Sequence, residues 1–307
     1  MTSVHPAETM SEVTNLDELR PGAFAVAYRM LGTVTEAEDI VQEALLRMHL
    51  RLQQGERIES PRAFLSTVVT RLCIDQLRSA RVRRETYVGE WLPEPLVGDA
   101  QSDPAEQAEA TDSLSLAFLV LLERLTPEQR AAFLLRDVFD YGYQEIAAVI
   151  GVGEDNARQL VSRARKHVDA GRTRFEASEE RREELARRFL FALGSGDLRA
   201  LEELLAHDVV AHADGGGRVR AIARPVCGRA RVARLLLRVV QAAEPFGGWD
   251  FRLVSVNGQP GFTRTDAAGR LTEVLALDIA EGQVQALRAI ANPDKLRHLE
   301  PAGGRSG

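Results

Sequence analysis

Residues 125–168 read LTPEQRAAFLLRDVFDYGYQEIAAVIGVGEDNARQLVSRARKHV, the most specific local pattern in this chain of 307 residues. Thr126-Pro127-Glu128-Gln129 is a helix start: a hydroxyl cap, a proline suited to the first turn, and a glutamine three residues after the cap. That helix should run to about Arg136, and a second from Tyr143 to Ile150 should stop at Gly151-Val152-Gly153. A third begins near Glu154, where Ala157, Leu160, Val161, Ala164 and Val168 recur at helical spacing and form one buried stripe. Asn156, Arg158, Gln159, Ser162, Arg163, Arg165 and Lys166 line the opposite face. The pattern is a helix-turn-helix with a basic recognition helix. Arg158, Gln159 and Ser162, in the N-terminal half, are placed for base edges, and Arg163, Arg165 and Lys166 for phosphates. The competing reading is an ordinary helical hairpin with a polar face.

Working outward, the charge is segregated. The chain carries net charge −6, mildly unfavourable for nucleic acid taken alone. Yet Arg62 to Arg84 holds six arginines against Asp75, and Asn156 to Arg174 holds six basic residues against Asp169. Between them, Glu85 to Asp112 holds eight acids and no Lys or Arg. Its first part, ETYVGEWLPEPL, has Leu92 and Glu94 each before a proline, which predicts an extended strand. No apolar run approaches the roughly 20 residues that span a bilayer, and no secretion signal opens the chain, so a cytoplasmic protein without membrane contact is expected. Cys73 and Cys227 stand far apart with no metal-ligand neighbourhood, and are expected to be buried free thiols, with no metal and no cofactor.

The N-terminal part reads as a helical bundle. One helix is expected from Leu16 to Leu31, closed by Gly32; Thr35 with Glu38 forms a capping box for the next, which buries Ile40, Val41, Ala44, Leu45, Met48 and Leu52. Its other stripe, Asp39, Gln42, Glu43 and Leu46, mixes carboxylates with an exposed leucine and suits either a partner or plain solvent. Ser60-Pro61 starts a long helix burying Phe64, Leu65, Val68, Leu72 and Cys73 and presenting Arg62, Arg71, Asp75 and Arg78, then Arg81, Arg83 and Arg84.

EAEDIVQEALLRMHL, SPRAFLSTVVTRLCIDQLRSARVRR and the segment 125–168 together resemble regions 2.2, 2.3 to 2.4, and 4 of extracytoplasmic-function sigma factors, in order and spacing, over about residues 12–174. The resemblance implies two all-α domains, region 2 at 12–84 and region 4 at 113–174, joined by the acidic linker 85–112. It further implies core RNA polymerase and promoter DNA as partners. Asp39, Gln42, Glu43 and Leu46 match the surface that docks on the β′ clamp helices. Arg71, Asp75, Arg78 and Arg81 match the part that opens and reads the −10 element, although the chain has Thr70 and Arg71 where the family often has an aromatic or Asn. Asn156, Arg158 and Gln159 match readers of the −35 element, and the family's interdomain link threads the polymerase cleft, a place suited to a polyanion.

From about 179 to 300 the texture changes to two helices followed by strands. Leu275, Leu277 and Ile279 alternate, as do Val284 and Ala286, with turns at Asn257-Gly258, Ala268-Gly269 and Glu281-Gly282, which predicts an α+β domain with a curved sheet. FLFALGSGDLRALEELLAHDVVAHADGGG and LALDIAEGQVQALRAIANPDKLRHL resemble a SnoaL-like, cone-shaped domain. The linker YVGEWLPEP, Asp214-Gly215-Gly216-Gly217-Arg218 and Asn292-Pro293-Asp294-Lys295-Leu296 resemble the marks of the sigma subgroup that carries this fusion. Large aromatics on an extended strand need cover, so Tyr87, Trp91, Pro93 and Pro95 are expected to dock near those two motifs, with Asp294 and Lys295 exposed; a solvent-exposed linker is the alternative. His212 and Asp214 share a strand face and leave open a catalytic cyclase or isomerase reading, and an unknown small ligand at this domain is a further expected partner. The expectation is a non-enzymatic sigma factor regulated in cis; the alternative is a ligand-sensing helix-turn-helix regulator.

Overall fold

The computed structural model describes residues 16–85, 87–98, 113–170, 178–242, 248 and 250–300. Three helices open it: α1 (Leu16–Leu31), α2 (Val34–Gln53) and α3 (Pro61–Glu85). α1 ends at Gly32, whose φ of 71° belongs to the left-handed region open to glycine. α2 is capped at Thr33, two residues before the expected Thr35, and the Thr35–Glu38 capping box does not form. The first-turn amides are taken instead by a distant carboxylate: Val34 and Thr35 donate to Glu94 Oε2 at 2.7 and 3.3 Å. Glu38 pairs instead with Arg20. Leu52, expected inside, is 42% exposed, because the buried face of α2 ends at Met48 and its last turn projects past the core.

Four further helices follow: α4 (Leu116–Leu122), α5 (Pro127–Asp137), α6 (Tyr143–Ile150) and α7 (Glu154–Asp169). The capping box of α5 is formed, Thr126 Oγ1 accepting from Gln129 N at 3.2 Å and Gln129 Oε1 from Thr126 N at 3.1 Å. Gly151, at φ 81°, closes α6. Ala157, Val161, Ala164 and Val168 of α7 are buried as their spacing predicts. One apolar cluster runs from Tyr28, Val41 and Cys73 through Leu119 and Leu134 to Val168, so both helical units share a core. Arg130, buried within it, ties them together by donating to Met30 O at 2.6 Å, Leu122 O at 3.0 Å and Glu123 at 2.7 Å. Burial pulls this guanidinium down to about 9.

The C-terminal part places α8 (Glu179–Gly194), α9 (Leu198–Leu204) and α10 (Arg229–Gln241) on one face of a seven-stranded sheet. The strands are β1 (Val97–Gly98), β2 (Leu205–Asp214), β3 (Val226–Cys227), β4 (Asp250–Val256), β5 (Gln259–Thr265), β6 (Leu271–Ala280) and β7 (Gln283–Ile290), in the order β1-β4-β5-β6-β7-β2-β3. Among the described strands only β2 and β7 pair in parallel; register irregularities in β2, β5–β6 and β6–β7 curve the sheet. Asn257-Gly258 and Glu281-Gly282 each hold two positive φ angles and close two-residue hairpins. Strand alternation sends Leu275, Leu277 and Ile279 toward the helices, where Phe189 and Phe262 stack with centroids 6.1 Å apart. Val254, Val256, Val274, Ala276 and Ile290 point the other way, into the core of the helical units. Cys73 is buried as expected, but Cys227 is exposed because it lies on the two-residue edge strand β3.

Candidate linker-docking and nucleic-acid sites

Residues 87–98 lie between the helical units and the sheet, and one buried carboxylate organises them. Asp214 ends β2 with 0% exposure. Its Oδ1 accepts from Tyr87 Oη at 2.5 Å and Gly216 N at 3.0 Å, and its Oδ2 from Leu92 N at 2.8 Å and Lys295 Nζ at 2.6 Å. Lys295, expected to be exposed, is 5% exposed: the turn at Pro293–Lys295 directs it inward to Asp214 and to the Leu92 carbonyl. Its ammonium also lies 4.2 Å from the Trp91 ring centroid and 5.1 Å from that of Tyr87. A buried ion pair offsets its desolvation only when its remaining hydrogen-bond valences are met; here the linker meets them. Burial first, then the Asp214 carboxylate, pushes the Tyr87 phenol up.

The two glycine-rich and Asn-Pro motifs meet at this point. Asn292 Nδ2 donates to Tyr87 Oη at 2.9 Å, and a Cβ on Gly216 would stand 2.2 Å from that amide nitrogen in a backbone already at φ 57°. Gly215 turns beneath the Val219 carbonyl, Gly217 lies against Val88, and Arg218 pairs with Asp294 at 3.1 Å. Leu296 is buried in the shared core. Trp91 and Pro93 do not rest on the C-terminal domain alone. Both lie over Gly32, where an added Cβ would come 2.9 Å from Trp91 Cη2, so the end of α1 forms the second wall.

Several residues of this site carried no local signal. Asn257, in the β4–β5 turn, accepts from Leu96 N at 2.9 Å through its side chain and donates its backbone amide to Leu96 O at 2.8 Å. The same side chain donates to Tyr28 Oη at 2.8 Å and to Leu114 O at 2.9 Å, so it binds both sides of the acidic segment. Tyr28 Oη donates to Glu94 O at 2.6 Å, and Glu94 N donates to Gly32 O at 2.8 Å. Burial raises the Glu94 carboxyl above its usual range, against the pull of the Val34 and Thr35 amides. His298 meets Pro95 O at 2.8 Å, and Val97 and Gly98 add a strand to β4. His212 shares the Asp214 face, as the strand period predicts, and meets Glu90 at 2.7 Å. The expected polyanion is thus partly engaged through Glu90 and Glu94; its acids from Asp99 to Asp112 lie outside the described residues.

The basic faces differ. Asn156, Arg158, Gln159, Ser162, Arg163, Arg165 and Lys166 are all exposed on α7. Arg158 pairs with Glu154 at 2.5 Å and lies over Tyr143, and Arg165 pairs with Asp137 at 2.8 Å. On α3, Arg71 instead donates to Val149 O at 2.9 Å and Ala148 O at 2.8 Å, satisfying carbonyls at the C-terminal end of α6. Arg78 pairs with Glu128 of α5 at 2.7 Å and with Asp75 at 3.3 Å. The side chain of Arg81 lies outside the described residues. On α2, Asp39 and Gln42 are exposed, Leu46 is 51% exposed, and Glu43 pairs with Arg47.

Residues 16–83 match the family described as Sigma-70 region 2, and residues 115–168 match Sigma-70, region 4. The ECF RNA polymerase sigma factor SigJ of Mycobacterium tuberculosis is 40% identical over 95% of this chain and 97% of its own length. The chain belongs to the extracytoplasmic-function RNA polymerase sigma factors. The probable ECF sigma factor SigI of the same species is 34% identical, covering 91% of this sigma factor and 93% of its own chain. The crystal structure of M. tuberculosis SigJ superposes with TM-score 0.74 at 39% identity over 93% of this chain and 98% of that one. The C-terminal extension is α+β, with helices packed on a curved sheet, and the protein acts as an alternative sigma factor that binds core RNA polymerase and promoter DNA.

α3 thus hydrogen-bonds directly to α6, the helix before α7, so the two matched regions touch each other.

Proposed function

We propose that the C-terminal domain holds this sigma factor in a compact form through residues 87–98, and that release of that segment commits it to initiation. In the released form Asp39, Gln42, Glu43 and Leu46 dock on the β′ clamp helices. Arg71, Asp75, Arg78 and Arg81 serve the −10 element, and the exposed face of α7 serves the −35 element. The observation that carries the reading is the engagement of Arg71 by Ala148 and Val149, which occupies the −10 face with the −35 domain. The domain acts by packing: the Asp214 carboxylate accepts four donors and faces the linker, leaving it no role as an acid or base toward a substrate.

The test is run-off transcription with core polymerase, on a promoter the holoenzyme selects from a random library, at limiting sigma factor. Asp214→Ala is expected to raise transcript yield about tenfold, since a mostly closed protein binds in proportion to its open fraction. Equal yields from both proteins would end the closed-state reading. No transcript from either, with tight operator binding by the chain alone, would favour a helix-turn-helix regulator.

A further inference from the structure

Between Asp214 and Glu244 the chain holds seven arginines, at 218, 220, 224, 229, 231, 234 and 238, and no acid. This run lies in neither helical unit and outside the linker dock except for Arg218. α10 divides it by helical phase. Val232, Ala233 and Leu237 are buried against the sheet, while Arg231, Arg234 and Arg238, at i, i+3 and i+7, are exposed along the opposite side. Arg220 and Arg224, in the segment before the helix, are exposed as well. Among the described residues none of these five forms an ion pair. Like charges at helical spacing repel by a few tenths of a kcal/mol per pair, and no carboxylate among the described residues pairs with them. A chain of net charge −6 that gathers uncompensated cations on one helix face has a surface made for a polyanion.

We propose that α10 and the segment before it are a third DNA contact, gripping the phosphate backbone of duplex beside the promoter elements without reading bases. The occupant follows from the family, whose members work on duplex DNA, and from charge complementarity. At 1.5 Å per residue Arg231 to Arg238 spans about 10 Å, against one phosphate per roughly 3.4 Å of each strand, so the stripe matches about three phosphates. α10 packs against β2, β3, α8 and α9, on the sheet face opposite the one that meets the sigma helices. The surface is therefore open whether the linker is docked or released. The proposal rests on membership of the sigma family and is independent of the linker clasp.

The experiment measures full-length protein binding to a 30-base-pair duplex of arbitrary sequence across salt concentrations, with affinity for core polymerase measured in parallel. Replacing Arg231, Arg234 and Arg238 together by Gln is expected to flatten the slope of log affinity against log salt by about 2 to 3, near 0.9 for each phosphate no longer neutralised. Replacing the three by Lys, which keeps the charge, is expected to retain the wild-type slope. Arg163→Gln with Lys166→Gln serves as the comparison on α7. A slope flattened by the α7 pair but not by the α10 triple overturns the proposal and leaves the sigma reading intact. A slope flattened equally by the Lys triple overturns it too, as does a loss of core polymerase affinity at unchanged slope, which would assign the surface to the enzyme.

Discussion

Both α3 and α7 carry arginines at solvent-side positions, and the structure treats them differently. α7 keeps its polar face exposed, Arg158 pairing with Glu154 one turn before it and Arg165 with Asp137 at the end of α5. α3 gives Arg71 to the carbonyls that end α6 and Arg78 to Glu128 of α5. The side-chain chemistry is the same; the neighbours differ. A compact form built this way leaves the proposed −35 reader free and closes the proposed −10 reader, so the step we propose as regulated is separation of the two helical units.

The largest way to break that contrast is Asp214→Ala. It leaves the Lys295 ammonium buried without its carboxylate, which costs about 3–5 kcal/mol. Amide hydrogen exchange should lose protection at Leu92 and Leu96 while the paired strands β6 and β7 keep theirs, and non-specific duplex affinity through α7 should be unchanged. Persistent protection at Leu92 would show that Asp214 does not hold the linker. Next is Glu94→Ala, which removes the carboxylate from the first turn of α2 and should cost about 1–2 kcal/mol in thermal unfolding, the range of a missing N-cap. An effect near zero would mean that water replaces it at Val34 and Thr35.

Lys166→Ala tests the open side of the comparison. Removing one phosphate clamp should lower the salt slope of duplex binding by about 0.9 and leave exchange at Leu92 untouched. The smallest effect belongs to Arg78→Ala: its partner pair has side chains 60% and 30% exposed, and such pairs contribute about 0–1 kcal/mol. A destabilisation above about 2 kcal/mol in chemical denaturation would sharpen the comparison, by showing that α3 and α5 are joined by more than a surface pair.

Local rules account for what could be read in advance. Thr126 and Gln129 cap α5, Gly32 and Gly151 end helices, and Asn257-Gly258 and Glu281-Gly282 turn hairpins, because each depends on residues a few positions apart. Aromatic and proline residues in an acidic linker required cover, and the Asp214 and Asn292 motifs marked where it was. Two of the failures share one cause. The Thr35–Glu38 capping box is absent because α2 starts after Thr33, its first amides held by Glu94 some 60 residues away, and Lys295 is buried because its anion lies 81 residues earlier.

The sequence by itself determined the helix-turn-helix, the segregation of charge, the α+β extension and the family, since periodicity, capping and motif order are written in neighbouring residues. Tertiary structure alone decided that Asn257 would bind Leu96 and Leu114 across the acidic segment, that Gly32 would receive Trp91, and that Arg71 would be occupied while Arg163 stayed exposed. The physical reason is that a hydrogen bond or ion pair is specified by which groups folding brings within about 3 Å, and a chain's local pattern states what a group needs without naming the distant residue that supplies it.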